Sequence, residues 1–409
     1  MKTNTITAVP KLRFPEFSED KSWEVEPLIK CASFINKKIE LSKLNLTNYI
    51  STENILSDFE GVTKASKLPK TGKATHFIEE DILISNIRPY LRKVWFSDFI
   101  GGASNDVLIV RAKNEVNSKY LSFYLMTDRF INYVMTGAKG VKMPRGDISQ
   151  IKKYDITYPS IKEQQKIADC LASLDDSINA EIQQLDTLKD HKAGLLQNLF
   201  PVGEETVPRY RFAEFENYGN WKAISLSEFI TQRNTFAENG ILLYSLTIEK
   251  GVTPKTERYE RSHLVINNKE EAYKIVYSND FVYNPMNLRF GAIARHSGEN
   301  TVSVSKYYNV FYSNDEVDSS FLEMYLQSSV MLNVYNDIAT GSLIEKRRVH
   351  FSEFLKLTML FPNVLEQQKI SDCLSSLANL IESQSNKLET LKRHKQGLMQ
   401  QLFPVMDEK

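Results

Sequence analysis

The sequence predicts an α+β protein built as a pseudo-two-fold repeat. Two mixed α/β domains are each followed by a long helix, and the two helices pair as an antiparallel coiled coil. Three observations carry this. First, residues 159–202 and 362–405 align without a gap at an offset of 203, with 25 of 44 positions identical. A period this long excludes a short-repeat solenoid and means two related halves. Second, apolar residues in both copies keep a 4-3 spacing, the mark of a coiled-coil seam. Third, the stretch before each copy reads as short apolar strands, Gly/Ser/Asn turns and a later helix. The expected layout is a domain at 1–158, a helix segment at 159–202, a second domain at 203–361 and a second helix segment at 362–409.

The first domain opens with Lys11-Leu-Arg-Phe-Pro-Glu-Phe and Trp23; the second has Arg209-Tyr-Arg-Phe-Ala-Glu-Phe and Trp221 at the same spacing. Strands are expected at Ile82-Leu-Ile-Ser-Asn-Ile after Asp81 and at Phe281-Val-Tyr-Asn after Asp280. Tyr120-Leu-Ser-Phe-Tyr-Leu and Phe321-Leu-Glu-Met-Tyr-Leu have helical spacing. Between these landmarks the two domains diverge almost completely.

Each long helix starts at a matching signal. Ser160 with Glu163, and Asn363 with Glu366, read as capping boxes. Each ends at Phe-Pro, Phe200-Pro201 and Phe403-Pro404, because proline cannot continue the amide ladder. The expected seam of the first copy is Ile167, Leu171, Leu174, Ile178, Leu185, Leu188, Leu195 and Leu199. In the second it is Ile370, Leu374, Leu377, Ile381, Leu388, Leu391, Leu398 and Leu402. Both seams share two polar interruptions, Glu181/Gln384 and Lys192/Lys395, which cost stability and can fix register. A leucine stripe needs a partner, and the simplest partner is the other copy. Two helices each preceded by a domain and related by a two-fold lie antiparallel.

Composition narrows the function classes. No apolar run approaches the ~20 residues of a membrane span, and Met1-Lys-Thr-Asn-Thr-Ile-Thr has no signal-peptide core. Three cysteines without a CxxC pair argue against a disulfide framework or a zinc site. Cys170 and Cys373, at equivalent helix positions, read as small buried side chains. The expected setting is cytoplasmic. Net charge is zero, but residues 1–158 carry 24 Lys+Arg against 18 Asp+Glu, and residues 203–361 carry 17 against 20. Neutrality argues against tight unaided nucleic-acid binding and fits a chain that reads bases beside partners that supply phosphate contacts.

No catalytic constellation is found. Asn284-Pro285-Met286-Asn287 lacks the second proline and the aromatic that stacks a flipped adenine. Gly72-Lys73-Ala74-Thr75 lacks the upstream glycine of a phosphate loop. His191 and His394 sit near helix ends, where a positive side chain complements the dipole. No metal site is expected.

The chain resembles the specificity (S) subunit of type I restriction–modification enzymes. The residues that carry the resemblance are the Arg-Phe-Pro-Glu-Phe opening, the Pro-x-x-x-Glu-Gln-Gln-Lys-Ile start of each helix and the Gly-Leu-x-Gln-x-Leu-Phe-Pro exits. The resemblance implies a non-catalytic subunit with two target-recognition domains, each reading half of a bipartite DNA site, and helices that set the half-site separation. It implies docking of two modification subunits, which methylate adenine with S-adenosylmethionine, and of restriction subunits that use ATP and Mg. No cofactor is expected on this chain. Because the two domains differ, the half-sites should differ. The rival is a self-contained methyltransferase or nuclease with fused recognition domains; a coiled-coil interaction protein without a DNA role is a third reading.

Within this resemblance the candidate DNA contacts of the first domain are Ser85, Asn86, Arg88, Tyr90, Arg92 and Lys93, with Lys139, Lys142 and Arg145 on a second basic loop. Those of the second domain are Asn284, Asn287 and Arg289, with Lys346, Arg347 and Arg348. Arginine suits guanine, asparagine suits adenine, and lysine suits phosphate.

Overall fold

The computed structural model describes residues 10–20, 23–238, 240–255, 272–343 and 347–404. It divides into two compact units. One comprises Met1–Ile182 with Asn386–Lys409, the other Gln183–Ser385. Each long helix, Ile161–Asn198 and Val364–Leu402, therefore gives its two ends to different units.

In the first unit, Glu24–Pro27 pairs antiparallel with Asp155–Tyr158, so the domain closes where it opened. An antiparallel sheet runs in the order Ala32–Phe34, Val107–Ala112, Ile82–Ser85, Val94–Phe96. All four residues of Ile82–Ser85 are buried, as expected of a central strand covered on both faces. A second sheet runs Lys38–Glu40, Lys73–Phe77, Gly101–Ala103, Tyr49–Ile50. Gly101 is obligatory there, since a Cβ would lie 2.2 Å from the Asn48 carbonyl oxygen. Helices Ser118–Leu125 and Asp128–Thr136 start where Asn117 and Thr127 side chains accept from the Tyr120 and Phe130 amides.

The second unit repeats the closing strand pair and the first sheet, but orders its second sheet differently. Lys222–Ser225 pairs with Thr358–Phe361. One sheet runs Ile230–Arg233, Asn309–Ser313, Phe281–Tyr283, Ile293–Arg295. Another runs Gly251–Pro254, Leu242–Thr247, Val302–Ser305, Tyr273–Val276. Helices Ser319–Leu326 and Ser329–Ile338 are capped by Asp318 and Ser328. The structural repeat thus extends into the interiors through the first sheet and the two capped helices, where the sequences diverge.

The helices pair antiparallel. In the first unit the Lys395 ammonium meets Asp175 and the Lys387 ammonium meets Glu181, both at 2.5 Å, so advancing along one helix means retreating along the other. All sixteen seam residues are buried or half-buried. The shared polar interruptions are accommodated differently. Lys395 also lies over the Phe123 ring at 5.1 Å, while Gln384 is buried. The Phe-Pro exits reach into the cores. Phe403 packs edge-on against Tyr120 and Tyr124 in the first unit, with ring centroids 5.5 and 5.2 Å apart. Phe200 stacks on Tyr325 at 4.7 Å in the second.

The helix starts correct one expectation. Glu163 does not complete a capping box; its carboxylate takes a bidentate pair from the Arg13 guanidinium at 2.8 and 2.7 Å. Asn363 does cap, accepting from the Glu366 amide at 3.0 Å, but the Glu366 carboxylate binds Arg211 and the Trp221 indole N–H. A charged, planar donor outcompetes a backbone amide for a carboxylate. The next residue fastens the same joint. Gln164 accepts from the Asn117 amide and donates to the Glu115 and Pro159 carbonyls, and Gln367 does likewise with Asp318 and Pro362. Cys170 and Cys373 are half-buried rather than buried. Cys31 is the buried thiol, its pKa pushed up to about 12 chiefly by burial.

The Arg13–Glu163 pair is almost wholly buried. Glu163→Ala removes the guanidinium's carboxylate partner and is expected to cost about 3 kcal/mol. Urea unfolding followed by tryptophan fluorescence measures it. The double variant with Arg13→Ala should recover part of that loss.

Candidate nucleic-acid interface

The two basic stretches of the first domain, far apart in sequence, form one surface. The loop leaving strand Ile82–Ser85 runs beside a hairpin closed by reciprocal hydrogen bonds between Lys139 and Arg145, both 2.9 Å. The Arg88 amide donates to the Pro144 carbonyl at 2.8 Å, and the Gly146 amide to the Asn86 carbonyl at 3.1 Å. Arg88 and Arg92 both hold left-handed φ values, 50° and 57°, flanking the tight turn Pro89–Leu91. Each such non-glycine residue costs roughly 1–2 kcal/mol, a strain that often marks functional loops.

The second unit has the same arrangement. The loop after Phe281–Tyr283 runs beside a hairpin joined at Thr340 and Arg348, and the Val349 amide donates to the Pro285 carbonyl at 2.9 Å. Lys346 lies outside the described residues.

The candidate contacts divide into two groups. Some are used by the fold itself. Ser85 is buried and its hydroxyl donates to the Ile87 carbonyl at 3.0 Å. The Lys93 ammonium donates to the Thr52 carbonyl at 2.7 Å, and burial, with the Arg88 charge second, lowers its pKa. Arg92 lies over Phe59 and faces Asp58 and Asp128, at 3.4 and 3.0 Å. Asn284 accepts from the Met286 amide, the Arg347 guanidinium donates to the Ala339 carbonyl, and half-buried Arg289 lies over Phe290. The Asn86 backbone joins loop to hairpin, and its side-chain oxygen is buried.

The others face outward: Arg88, Tyr90, Lys139, Lys142 and Arg145 in the first unit, Asn287 and Arg348 in the second. Lys139 and Arg145 are tethered to Asp147 and Asp106, at 3.3 and 3.1 Å, across mostly solvated bridges. The Lys139 hydrogen bond, above all, holds the Asp147 carboxyl below its usual range. Anionic phosphates can replace such exposed carboxylates, because surface bridges are worth little. Val141, Met143, Met286, Phe290 and Leu343 are also exposed on these same loops. The overlooked signal is apolar residues next to a turn glycine between basic residues.

Among the described residues no cluster of acidic, histidine or cysteine side chains is placed to hold a metal, and no helix is long and apolar enough to cross a membrane.

The chain is similar to known proteins in sequence and in fold. Residues 24–189 match the family described as type I restriction modification DNA specificity domain. The chain is 20% identical over 371 residues to the type I restriction enzyme MjaVIII specificity subunit of Methanocaldococcus jannaschii, covering 87% of this chain and 84% of that one. It is 34% identical over 88 residues, 22% of this chain and 20% of that one, to the MjaIX specificity subunit of the same organism. The fold matches the type I restriction–modification S subunit of M. genitalium, with a TM-score of 0.56, 14% identity and coverage of 97% of this chain and 100% of that one. It also matches a chain from a structure described as showing complex assembly and conformational transition of the type I R-M system. The TM-score there is 0.57, with 14% identity and coverage of 93% and 97%.

Two substitutions separate the groups. Lys93→Met is expected to shift the urea midpoint and leave the salt dependence of duplex-DNA binding unchanged. Lys142→Ala should do the reverse, lowering the slope of log K against log salt by ~0.9 for one lost phosphate contact. Paired denaturation and fluorescence-anisotropy titrations read both.

Proposed function

We propose that the chain is a specificity-subunit-like protein of the type I restriction–modification kind that reads a bipartite, asymmetric DNA target, one half with each unit. The observation that carries this reading is the recurrence, in both units, of a strand-exit loop joined to a hairpin, with outward cations or amides on each. Phosphate contacts from Lys139 and Lys142 position the duplex; Arg88 and Arg145, with the fork geometry suited to guanine, read base edges in the major groove. In the second unit Asn287 and Arg348 take these roles. The outward sets differ, so the half-sites differ.

Its mechanism is positioning. The chain itself performs no bond-making step; modification subunits, carrying S-adenosylmethionine, dock on it and receive adenines presented within each half-site. Restriction subunits with ATP and Mg complete the assembly. The setting is the cytoplasm, where the DNA is. A self-contained methyltransferase is disfavoured because Asn284-Pro285-Met286-Asn287 lacks the stacking aromatic, and Asn284 is spent holding its own turn.

The test is modular. Exchanging residues 24–155 for the same segment of a relative should change one half-site of the methylated sequence and leave the other, as read by mapping methylated adenines in cells. A change in both halves contradicts independent reading. The purified chain alone should not methylate that sequence, and adding its modification subunits should restore methylation. Arg88→Ala is expected to lose ~1–3 kcal/mol of binding to the cognate half-site and to relax preference at one base pair. A loss spread evenly over all sequences would make Arg88 a phosphate contact.

A further inference from the structure

Both hairpins of the interface carry an exposed apolar residue that the fold does not use. In the first unit, Gly140 turns the chain with φ 100° and Val141 follows it, fully exposed, with Met143 half-exposed two residues on. In the second, Gly341 turns with φ 149°, and Leu343 follows two residues on, 56% exposed. The neighbouring loop of that unit adds exposed Phe290 and Met286. The domain interiors share few residues between landmarks, yet both keep an alanine, a turn glycine and then a protruding aliphatic side chain. A β-branched or γ-branched side chain left in water contributes nothing to packing. Its place at the apex of a loop flanked by cations, Lys139, Lys142 and Arg145, puts it where a duplex held by its phosphates would lie.

We propose that Val141 with Met143, and Leu343, are wedges that enter a base step of the bound duplex and unstack it, one in each half-site. This rests on the DNA-reading assignment above and deepens it. Between stacked bases the apolar tip finds the dry, flat surface it lacks in solution. Side chains of this class are the ones that separate base steps when a protein inserts between them, at a cost of a few kcal/mol of stacking. The outward cations on the same loop supply the sequence-independent attraction that offsets that cost. An unstacked step lowers the further work of extruding a neighbouring base. The wedge would thus couple recognition by this chain to chemistry on a partner, without any catalytic group of its own.

The experiment uses the full chain with its modification subunits and a duplex carrying the mapped target, with 2-aminopurine placed at successive positions through each half-site. Binding should raise the fluorescence several-fold at one step in each half. Val141→Ser with Met143→Ser should return the first half-site to the free-duplex value and leave the second unchanged; Leu343→Ser should do the converse. Both variants should keep the parent unfolding midpoint, since these side chains are exposed, and the parent salt slope, since no phosphate contact is lost. Lys142→Ala should lower the slope and keep the fluorescence rise at saturation. An undiminished rise in the wedge variants overturns the proposal. So does a loss that follows from failure to bind the modification subunits, which would make the tips a protein contact. Tight parental binding with no fluorescence rise refutes the wedge and spares the DNA-reading assignment; no binding to the bipartite duplex refutes both.

Discussion

Each domain is closed by the end of the other repeat's helix, and the rest of the architecture follows from that exchange. The core of the first unit contains Leu402 and Phe403, which arrive from the second long helix. The core of the second contains Leu199 and Phe200, which arrive from the first. A buried phenylalanine is worth several kcal/mol, and here it is supplied by a segment remote in sequence. The helix starts are fixed just as firmly, by Arg13 on Glu163 and Arg211 on Glu366. Each long helix is thus fastened at both ends to folded structure, with its leucine stripe covered between them. The identities shared by the two copies include the residues of these joints. The pressure to keep them is geometric: a carboxylate, an amide and a phenyl ring must each meet a partner at a set place.

With the frame held by these joints, the loops that leave the strands differ in sequence between the two units. The first sheet has the same strand order in both units although the sequences differ, the second sheet is ordered differently, and the joined loop and hairpin recur in both. What differs is the outward chemistry. The first unit shows several cations there, the second mainly an amide, an arginine and larger apolar side chains. A neutral chain with its positive charge concentrated in one domain suits a protein that discriminates between base pairs while others supply much of the attraction to DNA.

The long helices were legible because their signal is periodic and repeated. Sixteen seam positions followed from spacing alone, and the structure covers them all. The helix starts were misread for a specific reason. A serine followed three residues later by glutamate has the same local pattern whether the carboxylate turns back to the helix or reaches Arg13 about 150 residues away. Only a tertiary contact decides between them. Ser85 and Lys93 illustrate a related limit. Polar residues in a basic stretch look like ligand contacts, but a central strand buries its last residue, and a lysine stem can carry its ammonium to a backbone carbonyl. The apolar tips are not legible in the sequence. Their exposure is a property of the folded hairpin and cannot be seen in a string where Val141 resembles any core valine.

The account stands on both units touching DNA through the same pair of loops. Amide hydrogen exchange of the full chain with its modification subunits, compared with and without the bipartite duplex, tests this directly. The account predicts slowed exchange in segments 86–92 and 138–146 and, in the other unit, in 284–292 and 339–349, with the strands beneath them unchanged. Protection confined to one unit, or falling on other surfaces while these loops exchange as before, would contradict it.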